Sequence, residues 1–189
     1  ELLGPKYKYE TMLDLDAYNP SKLLVIGSGD PTLGTSMFKE NQHSFLMNWS
    51  DKLKTKLGNS DNLKLYVVDN LFGYNGVSGE WTWIDMGNYY AAGAYGISVF
   101  DNTYRLFFNT IDRNSSPKIF RAEPEIKGLT FTNYLKLNTT GSDNGYIYGA
   151  PFSYNRVLRG DIPAGRTVFS IKGDIPDPGL MLGETLAAE

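Results

Sequence analysis

Leu23-Leu24-Val25-Ile26-Gly27-Ser28-Gly29-Asp30-Pro31-Thr32-Leu33-Gly34-Thr35-Ser36 runs from an apolar tetrad straight into a glycine-rich loop. Four apolar residues halted by glycine have the form of a strand buried on both faces. From Met37 onward the apolar positions Phe38, Phe45, Leu46, Trp49, Leu53 and Leu57 recur at helical spacing, with Lys52, Lys54 and Lys56 between them and Gly58-Asn59 closing the pattern. That periodicity predicts an amphipathic helix of about four turns. Leu63, Leu65, Val67 and Val68 form a second apolar run that stops at Asp69-Asn70. Strand, glycine loop, helix and strand in that order imply a right-handed βαβ unit. Ligands and catalytic groups gather at the carboxyl end of the first strand of such units, which here is the loop from Gly27 to Ser36.

On either side of this unit the texture changes. Residues 1–20 read as an opening segment between the turn signals Gly4-Pro5 and Asn19-Pro20. After Gly73 helical periodicity is lost, and from residue 97 short β-prone runs recur, among them Tyr104 to Thr110, Leu129 to Leu137 and Thr167 to Ile171. Turn chemistry at Asp101-Asn102, Asn114 to Pro117 and Gly141 to Gly145 separates them, the pattern of an antiparallel β-sandwich or meander. The expected fold is therefore α+β and mainly β, with a βαβ unit over about 20–70. The division expected is 1–20, 21–89 for the βαβ unit, 90–173 for the sandwich and 174–189 for a tail.

Composition excludes several chemistries. Eighteen Lys and Arg against 21 Asp and Glu leave a net charge of −3 with no basic block, so nucleic acid is not an expected partner. Without cysteine, and with His43 as the sole histidine, neither a disulfide framework nor a thiolate or multi-histidine metal site can form, and neither metal nor cofactor is expected. Asp14, Asp16, Asp30 and Asp69 are separated carboxylates without calcium-loop spacing. No apolar run is long enough for a transmembrane helix. Glu1 in the first position and the absence of a leader pattern imply that an upstream stretch has been removed.

The loop resembles the first block of the SGNH (GDSL-type) hydrolases, in which such a strand enters Gly-Asp-Ser-x-Thr-x-Gly. Gly29 and Asp30 match its start, Thr32 and Gly34 supply later residue types, and Pro31 stands at the serine position, so the family nucleophile does not carry over. Tyr74-Asn75-Gly76-Val77-Ser78-Gly79 resembles the family's second block, which supplies an oxyanion-hole glycine; Asp-x-x-His is absent. The resemblance covers about residues 20–85. It makes Ser28 and Ser36 the replacement nucleophile candidates, Gly76 and Gly79 the oxyanion candidates, and Asp30 and Asn75 ligand-binding candidates. A phosphate loop would need a third glycine at Thr32 or a lysine after Gly34, and has neither.

Aromatics are the second feature. Trp81, Trp83, Tyr89 and Tyr90 lie among Gly, Asn and Asp, as contact residues for sugar rings or a protein partner do, although half of the aromatics on any strand face a core. Two functions are expected from these features. The first is a non-catalytic structural or binding module of a virion tail, fibre or cell surface, extracellular, with polysaccharide, host glycan or neighbouring subunits as partners; self-association into a homo-oligomer is compatible with the same surface. The second is an SGNH-type carbohydrate esterase, a deacylase completed by sequence or a chain beyond this one.

Overall fold

The computed structural model describes residues 4–38, 41–58, 62–73 and 76–189. Among these residues ten strands and two α-helices follow in chain order: β1 (Met12–Asp16), β2 (Asn19–Ile26), α1 (Ser44–Leu57), β3 (Lys64–Val68), β4 (Thr103–Asn109), β5 (Lys118–Glu123), β6 (Thr130–Asn133), β7 (Lys136–Asn138), β8 (Asn144–Tyr148), β9 (Asn155–Pro163), β10 (Phe169–Asp174) and α2 (Pro178–Ala188). The fold is α+β and mainly β, as its sequence implies. None of the described helices is long and apolar enough to cross a membrane.

One compact unit comprises Glu1–Gly76, Ala94–Asp101 and Pro178–Glu189. Its sheet has the order β1-β2-β3, with β1 antiparallel to β2 and β2 parallel to β3. The β1–β2 hairpin turns on Asp16, whose Oδ1 accepts the N–H groups of Tyr18 at 2.8 Å and Asn19 at 3.0 Å, a turn in which the side chain stands in for backbone. The expected βαβ unit is therefore present. Its first strand is not buried on both faces, however: Leu23 and Val25 are buried while Leu24 and Ile26 are half-buried, the alternation of a strand with one core face. The helix begins at Ser44, later than the apolar pattern at Met37 and Phe38 suggests, and both of those side chains are exposed. It ends as expected at Gly58, whose φ of +68° lets the chain turn out of the helix.

Two distant segments complete this unit. Ala94–Asp101 lies across the carboxyl ends of β2 and β3: Gly96 donates its N–H to the Asp69 carbonyl at 2.9 Å and accepts from Gly29 at 2.7 Å. Tyr95, Ile97, Val99 and Phe100 are buried there. Helix α2 packs on β3 through Gly179 and Gly183, and a Cβ at Gly183 would stand 3.2 Å from Val67. Met181, Leu182 and Leu186 are buried. Residues 174–189 are thus not a tail.

The other unit comprises Val77–Gly93 and Asn102–Asp177. One sheet is antiparallel in the order β10-β4-β5. In β4, Tyr104, Leu106 and Phe108 point into the core and Arg105, Phe107 and Asn109 away from it. The second sheet is built around β9, with β8 antiparallel on one side and β6 and β7 parallel on the other. These parallel pairs depart from the expected antiparallel sandwich or meander, because short apolar runs state strand content and not strand direction. Nor does a single division near residue 90 separate the units; the chain passes between them several times.

Candidate functional site

Trp83 to Tyr90 is held to its unit by its own polar groups. Asp85 Oδ2 accepts the N–H and hydroxyl of Thr82 at 2.9 and 2.8 Å, a local turn. Asn88 donates its amide to the carbonyls of Ile84 and Asp85 and accepts the Ile147 N–H at 3.0 Å, so a buried side chain clamps this segment to β8. Gly87 adopts φ +96°, and a Cβ there would strike the Ile147 carbonyl at 2.5 Å; only glycine lets the backbones approach this closely. The Gly87 carbonyl accepts the Asp174 N–H at 3.1 Å.

This clamp leaves Tyr89 and Tyr90 projecting, each about half exposed, their rings edge to face at 5.3 Å. The Tyr90 hydroxyl is raised in pKa first by burial, then by the Asp85 carboxylate and the hydroxyls of Tyr146, Tyr148 and Tyr89. The carboxylate and the four tyrosines thus act on one another electrostatically. Tyr146 and Tyr148 share an outward face of β8, with rings 6.3 Å apart, and Lys172 Nζ lies 5.9 Å from the Tyr89 ring. Asp85 Oδ1 accepts no hydrogen bond among the described residues. A carboxylate with a spare oxygen, bordered by tyrosine faces, suits an amine on an apolar stem, because the charge pairs with the acid and the stem with the rings.

Of the residues singled out in the sequence, Trp83, Tyr89 and Tyr90 fall in this region. Trp83 is 65% exposed and Trp81 half-buried. Asn75 lies outside the described residues. Asp30, in the other unit, accepts the Thr32 N–H and hydroxyl at 2.9 and 2.7 Å. Ser28 Oγ accepts the Glu10 N–H at 2.8 Å. Ser36 donates its hydroxyl to Asp101 Oδ2 at 2.6 Å, while Thr35 donates to Oδ1 of the same carboxylate at 2.5 Å. Among the described residues neither serine hydroxyl has a histidine or lysine within hydrogen-bond reach. His43 stacks on Phe100 at 5.0 Å. Gly76 is packed against Tyr95 and the Ala94 carbonyl, and Gly79 faces open space. No cluster of metal-ligating side chains occurs among the described residues. Sequence reasoning missed Asp85, although it is the sole charged residue between Trp81 and Tyr95.

The glycines of the Gly27 loop also have a packing explanation. A Cβ at Gly27 would stand 2.5 Å from the Gly96 carbonyl carbon and 2.6 Å from Ile97 Cδ1. The loop receives the returning 94–101 segment, and that close approach demands small residues in a pattern similar to an SGNH first block.

Comparison with known proteins overturns that resemblance. The model of the D-Ala-D-Ala carboxypeptidase 3 (S13) family matches residues 1–189. The crystal structure of penicillin binding protein 4 from Haemophilus influenzae is similar to the chain at a TM-score of 0.62 and 14% identity, over 96% of this chain and 40% of that one. A second structure of the same protein, complexed with a novel β-lactam, aligns at a TM-score of 0.49 and 12% identity, over 99% of this chain and 40% of that one. The chain thus spans well under half the length of these structures. No curated protein matches. The SGNH assignment, the carbohydrate esterase, the non-catalytic tail or fibre module, the virion setting and the glycan and subunit partners are all corrected by the carboxypeptidase family match.

Proposed function

Because the chain belongs to the D-Ala-D-Ala carboxypeptidase 3 (S13) family, we propose that it is part of a cell-envelope carboxypeptidase that hydrolyses the last peptide bond of D-Ala-D-Ala-terminated peptidoglycan peptides, releasing D-Ala. The observation that carries this reading is the family match along the whole of residues 1–189. Members of the family act on the cell wall, outside the cytoplasm.

The role of these residues in that reaction is to hold the peptide. Asp85 pairs with an amine on the substrate side chain, and the rings of Tyr89, Tyr90 and Tyr146 cover its methylene stem. An amine held beside the scissile terminus orients the peptide, and orientation converts binding energy into rate. Half-exposed rings and a carboxylate fixed by Thr82 provide such a cradle with little rearrangement.

The test is D-Ala release by the protein produced from its complete reading frame, with an amine-bearing D-Ala-D-Ala peptide and its N-acetylated counterpart. Asp85→Asn is expected to raise KM about tenfold for the amine-bearing peptide alone, the cost of one charge-assisted contact. Absence of D-Ala release from either peptide by the wild type overturns the carboxypeptidase reading.

A further inference from the structure

Over its first five residues strand β9 alternates: Arg156 and Leu158 point into the core, and Asn155, Val157 and Arg159 point out. The register places Tyr146 of β8 directly opposite Arg159, and Tyr148 opposite Val157. Residues opposed across an antiparallel pair share a face. The aromatic shelf beside Asp85 therefore continues without a break to Arg159.

On this face lies a groove of about 490 Å³, bordered by Trp83, Tyr148, Gly149, Ser153, Asn155 and Arg159. That volume is in the range of small-ligand sites. Its floor is fixed from below, because the buried Arg156 donates to the Ala150 carbonyl at 3.2 Å and Gly149 donates to the Met86 carbonyl at 3.3 Å. Arg159 is the one charged residue on its border. Among the described residues its guanidinium makes no ion pair or hydrogen bond, and it rests 5.4 Å from the Tyr134 ring centroid. Stacking on a ring leaves the guanidinium donors directed outward in a planar fork that matches a carboxylate.

We propose that this groove is a specificity subsite for a peptide carboxylate, with Arg159 as its anchor and Trp83 and Tyr148 as its walls. The proposal rests on the carboxypeptidase reading and deepens it. Asp85 and Arg159 form an acidic and a basic station on one aromatic face, and a peptide bearing an amine near its D-Ala-D-Ala end and a carboxylate further from it satisfies both. A neutral or amidated peptide leaves Arg159 without a partner.

Direct binding by the full protein tests this without turnover. The probes are L-Ala-γ-D-Glu-L-Lys-NH2, which carries a free α-carboxylate, and its D-isoglutamine counterpart, in which that group is an amide; neither contains D-Ala-D-Ala. Wild-type protein is expected to bind the carboxylate peptide about tenfold more tightly in isothermal titration. Arg159→Gln is expected to abolish that preference, and Arg159→Lys to restore part of it as a point charge. Equal wild-type affinity for the two peptides, no binding of either, or equal weakening of both by Arg159→Gln with an unchanged unfolding midpoint each overturns the proposal. D-Ala release by the wild type from a short amine-bearing substrate reports separately on the carboxypeptidase reading, so failure of one is distinguishable from failure of the other.

Discussion

Arg156 Nη2 lies 2.8 Å from Asp174 Oδ1, with the arginine side chain wholly removed from solvent. The same guanidinium donates to the carbonyls of Ala150 and Asp174, so one buried cation ties β9, the end of β10 and the turn after β8 together. The packing around it is tight but not fully satisfied: among the described residues, Arg156 Nε and the Tyr104 hydroxyl are buried without a hydrogen-bond partner. Burial pushes the Tyr104 hydroxyl well above its usual range. Removing one charge of a buried pair strands the other. Arg156→Met is expected to cost about 3–5 kcal/mol at pH 7, read from urea unfolding midpoints, and a double replacement of Arg156 and Asp174 by apolar residues is expected to recover part of the loss.

Asp174 also sets a pH dependence. Burial pushes its carboxyl up from 3.8 to about 6, against the opposing pull of Arg156. Between pH 3.8 and about 6 the folded protein retains a proton that the unfolded chain has released, so this group's contribution to stability falls as pH rises through that window. The change is about 3 kcal/mol at most. Unfolding midpoints of the wild type and Asp174→Asn, followed from pH 4 to 7, are expected to differ in slope in that direction.

Gly27→Ala is expected to destabilise by about 1–3 kcal/mol, because the methyl group meets the Gly96 backbone and something must shift. Gly79→Ala has open space around it and serves as the comparison, with a change within about 0.5 kcal/mol. Thermal unfolding of the two variants separates a packing glycine from a merely permissive one.

Ser28 and Ser36 already have partners in the Glu10 N–H and the Asp101 carboxylate. In the protein produced from its complete reading frame, Ser28→Ala and Ser36→Ala are expected to leave D-Ala release from the amine-bearing D-Ala-D-Ala peptide within about twofold of the wild type. Loss of that release in either variant, with an unchanged unfolding midpoint, would make that serine part of the reaction.

What could be read from the sequence was local. Leu23 to Ile26, the helix through Leu46, Trp49 and Leu53, and the run from Leu63 to Val68 declare the βαβ unit, because each period is written within one element. Strand direction is not so written: β6 and β7 run parallel to β9, and nothing in Thr130–Asn133 or Lys136–Asn138 marks this. Gly27, Gly29 and Gly34 were legible as special, but the reason for Gly27 is the approach of Gly96, nearly 70 residues away. That long-range cause has the same local appearance as a catalytic loop. The aromatic region was visible as composition, whereas Asp85 became informative only when the fold set it beside Tyr90.

Helix α2 covers β3, which is made about 110 residues earlier. A chain emerging from the ribosome at about 5–20 residues per second holds β2, α1 and β3 for several seconds before Leu182 and Leu186 can cover them. Through that interval the βαβ unit has an uncovered apolar side. Completion of this unit thus waits on Pro178–Ala188, and a chain cut before Pro178 retains all ten described strands while lacking the helix that packs on β3.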